Sequence, residues 1–350
     1  MGGGGPPASP NDAASENLRQ VPGGRSPAGD GGLSGNRAVV PGGRSGTRGP
    51  MASPADQVTL VVLTRDRVEV LLDTLARLVA LPGSPPILVV DDASQDGSAR
   101  RVAERFGDRV VVIPLPRSVG GAGRNVGVRA ARTPYVAFSD DDSWWAPGAL
   151  ERAVAVLQAE PRLAVVQGHI LVGPGERDDP ICSEMAASPL PSGRGQPGHP
   201  LLSFVACAVV CRRSALLAAG GFLAALRMGG EEELLGQDLA AGGWHMSYLP
   251  DVVAHHHPGP RDGRKRRRDG IRNALWTTWL RRPVGPAARR TLRLLRRCPP
   301  DATTARAVGE ALLGAPLIVR RRRPLPPDVE RLAALLEVQQ LNSEARRYVD

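Results

Sequence analysis

The sequence predicts an α/β fold in which helices flank a mostly parallel sheet. Short apolar runs alternate with segments of helical period between residues 57 and 172, and charged or glycine-rich residues follow several of these runs. Successive strand–helix units of this length favour a Rossmann-like sheet with right-handed crossovers. With 350 residues and 42% hydrophobic content, the chain can bury one substantial core. Aromatic residues make up only 3%, so aliphatic side chains must fill that core.

Three strand–helix pairs are predicted in the first part of this region. The apolar run at residues 58–63 precedes a helix at residues 68–81, in which apolar residues recur with helical spacing. Two further pairs follow, with strands at residues 86–90 and 110–113 and helices at residues 98–106 and 120–132. We expect the three strands to belong to one sheet.

The second part is less regular. The next predicted elements are a strand at residues 135–138, a helix at 147–160 and a strand at 164–172. Residues 173–200 are rich in proline, glycine and charge without a clear period, which predicts a long functional or loosely ordered loop. Beyond this loop we expect strands at residues 204–211 and 245–249, helices at 215–219 and 231–241, and a polar turn at His255, His256 and His257.

The two ends of the chain differ from its middle. Residues 1–52 are rich in glycine and proline and lack apolar periodicity, which predicts a disordered tail. Met51 stands just before the first predicted strand, so a translation start at this residue is a second interpretation. Residues 53–260 form the predicted α/β domain, and residues 261–350 form a helical, arginine-rich extension. The breaks in this extension contain proline and lie near Pro283, Pro299 and residues 324–327.

Composition limits the functional classes. Lys and Arg number 45 against 35 Asp and Glu, but Lys265 is the only lysine, and an arginine preference beside 41 Gly and 33 Pro can reflect GC-rich coding. The net charge of +10 is therefore no argument for nucleic acid, which we do not expect as a partner. The four cysteines form no CxxC pair and indicate reduced, mostly buried thiols of a cytosolic protein. No uncharged apolar run approaches the roughly 18 residues that span a bilayer.

Three consecutive carboxylates follow the predicted strand at residues 135–138. In an open α/β sheet, ligands bind at the carboxyl ends of the strands, which is where Asp140, Asp141 and Asp142 stand. Carboxylate oxygens suit Mg²⁺ or Mn²⁺, and Mg²⁺ usually shares its protein ligands with substrate phosphates. The pattern predicts a site for a metal and a diphosphate. An acidic N-cap for the following helix is the alternative.

Three other groups of residues could bind a ligand or take part in catalysis. Asp91 and Asp92 end the second predicted strand, where a carboxylate can bind a base or a ribose. The glycines of residues 120–127 miss the dinucleotide fingerprint by one position, but a glycine-rich helix start can receive a phosphate, assisted by Arg124. Glutamates at residues 231–233 begin a predicted helix. The helix dipole favours an acid there, and three in a row leave one or two for general-base chemistry.

The order of these landmarks resembles that of family-2 glycosyltransferases with the GT-A fold. The resemblance covers residues 57–257 and implies an inverting transferase that uses a nucleotide-diphosphate sugar and a divalent metal, Mg²⁺ or Mn²⁺. It rests on seven stretches in the expected order: residues 58–65, 89–96, 124–130, 140–142, 220–222, 231–232 and 243–250.

The resemblance also implies roles for individual residues. Thr64 and Asp92 would line the nucleoside site, and Arg65 and Arg124 would join them in binding the donor. Asp140 and Asp141 would lie by the ribose and diphosphate. Asp142 would be the metal ligand, and one histidine, for which we choose His256, would reach the metal or diphosphate. Glu232 occupies the position of the family's base, with Glu231 beside it, although the choice among the three glutamates stays open.

Two features of the chain depart from the family pattern. The family often has Asp at the position of Glu232, and it commonly has Arg where this chain has Asp238. The Q-x-x-R-W motif and the membrane helices of processive synthases are missing from the sequence. We therefore expect addition of a single sugar to a glycan or lipid-linked acceptor of a cell-envelope polysaccharide.

The basic segments at residues 264–268 and 320–323 have two interpretations. With Trp276, Trp279, Leu280, Leu292 and Leu295 between them, they could dock a cytoplasmic protein on the anionic inner face of the plasma membrane. The alternative is a solvated face of C-terminal helices. Two rival functions also stay open, namely a sugar nucleotidyltransferase and a non-catalytic GT-A-like binding module.

Overall fold

The computed structural model describes residues 54–259 and 263–340. The tail predicted at residues 1–52 lies outside the described residues, as do residues 261–262 and 341–350 of the predicted extension.

The first half of the sheet is parallel. Strand β1 lies at its centre with all seven residues buried, because helices cover both faces of the sheet. The register places Thr64 beside Asp91 and Leu63 beside Asp140, so the carboxyl ends of three strands meet at one edge. The elements of this half are β1 (Val58–Thr64), α1 (Val68–Val79), β2 (Ile87–Asp91), α2 (Ser98–Phe106), β3 (Val110–Pro114), α3 (Arg124–Ala130) and β4 (Tyr135–Asp140).

The second half of the sheet is mixed. Strand β9 inserts between β4 and β6 and runs antiparallel to both, whereas β10 runs parallel to β6. The predicted α/β class, a mostly parallel sheet flanked by helices, is confirmed, with its parallel order interrupted at β9. The elements here are β5 (Ser143–Trp145), α4 (Ala149–Ala159), β6 (Leu163–Val172), β9 (Val209–Arg212), α6 (Arg213–Ala219), α7 (Glu231–Ala241) and β10 (His245–His256).

The segment predicted as a long loop is partly ordered. Residues 173–200 contain β7 (Arg177–Asp178), α5 (Pro180–Ala186) and β8 (His199–Pro200). Asp179 caps α5 by accepting a hydrogen bond from the backbone N–H of Ile181 at 3.0 Å, and proline stands at the first helical position. A helix of two turns is too short to produce a clear period in the sequence.

Five helices form the described part of the C-terminal region: α8 (Gly263–Arg281), α9 (Val284–Arg297), α10 (Ala302–Leu313), α11 (Ala315–Arg321) and α12 (Pro327–Gln340). The proline-containing breaks expected from the sequence are present, and Gly314 adds another. Val329 and Ala333 of α12 belong to the same buried cluster as Leu235 and Leu239 of α7. The helices are therefore packed on the α/β region.

All four cysteines are buried free thiols, in agreement with the prediction of buried, reduced residues. Burial raises the pKa of Cys182 to about 11. Among the helices described here, none combines the length and the apolar character needed to cross a bilayer.

Candidate active site

The carboxyl ends of β1, β2 and β4 open into a cleft of about 1630 Å³. Its volume leaves room for more than one ligand group. Nine of the residues predicted from the sequence line it: Thr64, Arg65, Asp92, Arg124, Asp140, Asp141, Glu231, Glu232 and His256. The tenth, Asp142, contacts His256 beside the cleft.

The three aspartates occupy the turn between β4 and β5. Asp140 ends β4, and its backbone N–H donates to the hydroxyl of Ser143 at 2.8 Å, which closes the turn. Helix α4 begins only at Ala149, after Gly148, and has no side-chain N-cap. The capping explanation for the aspartates is therefore wrong, because the chain returns as β5 before the helix begins.

Two of the aspartates and a histidine could hold a cation. Ligand atoms of Asp140, Asp142 and His256 lie within 4.8 Å of one another. Burial would raise the pKa of Asp142, but the hydrogen bond and charge of His256, together with Arg67, outweigh it and lower this pKa. The carboxylate is thus ionised at neutral pH. Carboxylate oxygens with one imidazole suit Mn²⁺, and the oxygens also suit Mg²⁺.

Strand alternation selects His256 from the three histidines. Successive side chains of a strand point to opposite faces, and the Nε2 atom of His256 lies 3.3 Å from Asp142 Oδ1. The ring of His255 stacks on Trp144 at 5.4 Å, and His257 meets the same ring edge-on at 4.7 Å. The expected polar turn is wrong, because β10 continues to His256 and pairs with β5.

Arg67 is a site residue that the sequence did not reveal. Its Nη1 atom lies 2.5 Å from Asp141 Oδ1 and 2.9 Å from Asp142 Oδ2. Thr64 donates to the other oxygen of Asp141 at 3.0 Å. Burial raises the pKa of Asp141 to about 7 even though the charge of Arg67 opposes this rise. Arg65, the arginine chosen from the sequence, lines the cleft but pairs with its neighbour Asp66 at 3.3 Å.

Asp92 organises the loop that follows β3. Its carboxylate accepts hydrogen bonds from the Ser118 hydroxyl at 2.6 Å, from the Val119 N–H at 2.6 Å and from the Gly120 N–H at 3.0 Å. The following glycines allow close packing, since a Cβ atom on Gly121 would lie 2.6 Å from the Oε1 atom of Glu231. These contacts explain the glycine-rich sequence without a bound phosphate.

The three glutamates at the start of α7 have different surroundings. Glu231 is 1% exposed and lies 3.8 Å from Arg124 Nη1. Glu233 pairs with Arg290 at 2.8 Å. Glu232 and Glu233 are partly exposed, and all three glutamates line the cleft. Burial raises the pKa of both Glu231 and Glu232, and the charge of Arg124 opposes the rise in each case.

Arg124 joins the two groups of acids. Its Nη2 atom donates to Asp140 Oδ1 at 2.6 Å, while Nη1 faces Glu231. The guanidinium is almost fully buried, with 2% of the side chain exposed. The aspartates after β4 and the glutamates of α7 therefore belong to one site.

Asn273 is a second residue that the sequence did not reveal. This residue of α8 is fully buried, and its side-chain amide donates to the carbonyls of Leu226, Met228 and Gly229 at 2.7, 3.0 and 2.6 Å. The turn that it contacts leads directly into the glutamates and contains left-handed backbone at Gly229 and Gly230. No local pattern predicts this contact, because 44 residues or more separate the partners.

Comparison with known families identifies part of the chain. Residues 59–218 match the family described as Glycosyl transferase family 2. A pre-mycofactocin glycosyltransferase of Mycobacterium tuberculosis is 32% identical over 220 residues, which cover 59% of this chain and 44% of that protein. The succinoglycan biosynthesis protein ExoO of Rhizobium meliloti is 29% identical over 144 residues, or 41% of each chain. The chain thus spans less than half the length of these curated relatives.

Solved structures share the fold. A mannosyltransferase from Pyrobaculum calidifontis in complex with GDP-Man and Mn²⁺ superposes with a TM-score of 0.53 at 20% identity, covering 84% of this chain and 90% of that one. The first 349 residues of S. aureus TarS, in complex with UDP-GlcNAc, give a TM-score of 0.53 at 14% identity, with 83% and 88% covered. At these identities the likeness establishes the GT-A fold.

Proposed function

Because residues 59–218 match the model of glycosyl transferase family 2, we propose that this chain is a member of that family and transfers a sugar from a nucleotide-diphosphate donor to an acceptor hydroxyl with inversion. The observation that carries the proposal is the single cleft that brings candidate metal ligands and glutamates together. Arg124 contacts both groups, so a donor diphosphate at one and an acceptor hydroxyl at the other would meet.

The strand ends provide the proposed donor site. Thr64, Asp92 and Asp141 lie at the carboxyl ends of β1, β2 and β4, where nucleotides bind in open α/β sheets. Arg67 faces the cleft beside them and supplies positive charge for a diphosphate. Asp140, Asp142 and His256 would hold Mg²⁺ or Mn²⁺, which when bound neutralises charge on the departing diphosphate. The donor complexes of the two solved neighbours support this class of substrate.

Glu232 is the proposed base. All three glutamates line the cleft, but Glu231 is buried against Arg124 and Glu233 pairs with Arg290, whereas Glu232 is partly exposed between them. Burial raises the pKa of Glu232 above that of an ordinary glutamate, which makes its carboxylate a stronger base. Glu232 would remove the proton of the acceptor hydroxyl as the oxygen attacks the anomeric carbon. The charge of Arg124 and the interaction with Glu231 would set the pKa of Glu232.

The acceptor would bind between Glu232 and the helical region. Basic side chains of α8 and α9 line this part of the cleft, among them Arg266, Arg290 and Arg293. We propose a glycan or lipid-linked acceptor and one sugar added per encounter, in the synthesis of a cell-envelope polysaccharide. A cytoplasmic protein in peripheral contact with an anionic membrane would suit such an acceptor.

A panel of nucleotide sugars tests this function. We expect the full chain to bind and slowly hydrolyse one donor with Mg²⁺ or Mn²⁺ present, and Asp142→Ala to lose this activity. Asp251→Ala is the matched control, because Asp251 is an exposed carboxylate on the same strand as His256 and pairs only with Arg152 in the described residues.

Two results would contradict the proposal. If no donor bound with either metal, the binding-module alternative would replace it. If the protein instead joined a nucleoside triphosphate to a sugar phosphate and released pyrophosphate, it would be a sugar nucleotidyltransferase.

A further inference from the structure

An exposed apolar surface lies where α10 meets α11. Leu312 is 71% exposed, Leu313 is 82% exposed and Val319 is 79% exposed, and they stand within eight residues of one another. Ala315 and Pro316 between them are also exposed. We refer to residues 312–323 as the α10–α11 tip. The surfaces of soluble proteins rarely group large apolar side chains in this way, and such groups mark interaction sites.

The tip is held in place by contacts with residues of the protein interior. Ile318 packs against Leu226 and Leu280, so α11 presents one apolar side chain inward and Val319 outward. The indole N–H of Trp276 donates to the carbonyl of Ala311 at 3.0 Å, directly before the exposed leucines. The exposure of the tip is therefore a property of a fixed helical corner.

Positive charge adjoins the exposed apolar residues. Arg320, Arg321 and Arg323 are exposed, and none of them forms an ion pair with another residue in 54–259 or 263–340. The acidic side chain at the end of α10, Glu310, is already paired with Arg272 at 3.2 Å and with Arg306 at 3.1 Å. The tip thus combines apolar side chains with a net cationic border.

The tryptophans expected to form a docking face are partly buried, and each donates a hydrogen bond to a neighbouring helix. The N–H of Trp279 donates to Thr291 at 3.0 Å, and Leu280 is fully buried. These side chains join α8 to its neighbouring helices. Of the apolar residues expected in that face, Leu280 is buried and Leu292 is 50% exposed, whereas Leu312, Leu313 and Val319 at the tip are exposed by more than two thirds.

We propose that the α10–α11 tip docks on an anionic phospholipid surface, with Leu312, Leu313 and Val319 entering the headgroup boundary and the arginines binding lipid phosphates. Charge complementarity selects this partner, because arginines next to exposed apolar side chains match the two layers of an anionic membrane interface. The proposal names the surface for the peripheral contact in the proposed function, and it does not depend on sugar transfer.

Vesicle co-sedimentation tests the tip directly. At about 0.15 M salt, the full chain should bind vesicles of equal parts phosphatidylcholine and phosphatidylglycerol and bind pure phosphatidylcholine weakly. The double change Leu313→Glu with Val319→Glu should weaken partitioning at least about tenfold, because two apolar side chains no longer enter the interface. Arg320→Glu with Arg321→Glu should weaken binding to the anionic vesicles in particular.

Val111→Glu is the matched control, since Val111 is 52% exposed on the edge strand β3. This variant should partition like the unchanged protein. Circular dichroism would confirm that each variant is folded. The proposal is overturned if the unchanged chain stays in the supernatant with anionic vesicles, or if the tip variant binds them equally well. It is also overturned if the tip change converts a dimer into a monomer while neither form binds lipid, since a second copy would then cover the tip. Donor hydrolysis, measured separately, distinguishes failure of docking from failure of the transferase function.

Discussion

The two halves of the cleft are fixed in place by different parts of the chain. The strand-end half (Thr64, Asp92 and Asp140 to Asp142) takes its geometry from the ends of parallel strands and from contacts within the first 256 residues. The glutamate half (Glu231, Glu232 and Glu233) begins a helix beyond the family match, which ends at residue 218. Its supports include Asn273 and Arg290, which belong to the C-terminal helices.

Under the proposed function, this difference separates donor binding from the chemical step. Changes in the strand-end half should act mainly on the affinity for the donor, because those residues would contact the nucleotide and diphosphate. Changes in the supports of the glutamate half should act mainly on kcat, since they would move the proposed base without touching the donor. A variant that does not follow this division would contradict the separate roles proposed for the two halves.

Asn273→Ala should have the largest effect among the supports. Three carbonyls lose a buried donor, and a lost buried hydrogen bond costs about 1–3 kcal/mol, so we expect kcat to fall about 10- to 100-fold as the turn before Glu231 relaxes. The KM for the donor should stay nearly constant. Steady-state kinetics at varied donor concentration separates the two.

The control for Asn273 is Thr278→Ala on the same helix. The buried hydroxyl of Thr278 donates only to Ala274 within α8, so this change should lower stability and leave kcat near its original value. A rise in donor KM without loss of kcat in Asn273→Ala would contradict a positioning role.

Arg67→Ala should affect the other half. It removes the cation that contacts Asp141 and Asp142 and faces the cleft, and a hydrogen bond to a charged group contributes about 1.5–3 kcal/mol, so donor affinity should fall about tenfold or more. Calorimetric titration with the donor measures this. Arg65→Ala is the comparison, because Arg65 pairs with exposed Asp66 and should matter less. Equal losses of donor affinity in the two variants would mean that the contacts of Arg67 with the aspartates do not matter for donor binding.

Arg124→Gln should change the pH dependence of kcat. Burial raises the pKa of Glu232 and the charge of Arg124 lowers it, so removing that charge raises the pKa further. A base must be deprotonated to act, and the acid limb of the kcat profile should therefore move to higher pH. On the acid limb, kcat of the variant should be about three- to tenfold lower than that of the unchanged enzyme. At high pH the two kcat values should converge. Arg129→Gln, on the exposed side of the same helix, should leave the profile in place.

Thr64→Val should have the smallest effect. It removes one hydrogen bond of 3.0 Å to Asp141 while keeping the volume of the side chain, so the donor KM should rise about threefold. A large fall in kcat at unchanged KM would place Thr64 with the chemistry and would contradict the division.

The same division explains what the sequence could predict. The position of Asp142 at the edge of the sheet is predictable because strand patterns are local and the ends of parallel strands meet at one edge. The proposed role of Thr64 comes from the resemblance to family-2 glycosyltransferases. Arg67 was missed because its role depends on how far α1 brings its first turn toward the aspartates. Asn273 was missed because only tertiary packing joins α8 to the turn before α7.

Interruptions in regular secondary structure account for the other differences between the predicted elements and the structure. The sequence predicts a strand that ends at residue 249 and leaves the histidines beyond it, whereas β10 continues past an irregularity between Leu249 and Val253. Once the strand is extended, alternation alone places His256 opposite His255. The sequence does not predict helix α5, because two turns of helix produce too few repeats to define a period.

The most direct test of the account is the activity of Glu232→Gln beside Glu233→Gln. The account predicts that Glu232→Gln binds the donor with unchanged affinity and loses transfer by about 10²- to 10⁴-fold, the usual contribution of a general base. Glu233→Gln, which removes the charge paired with Arg290, should retain most of the transfer rate. Undiminished transfer by Glu232→Gln, with donor binding intact, would contradict the account and remove Glu232 from the chemistry.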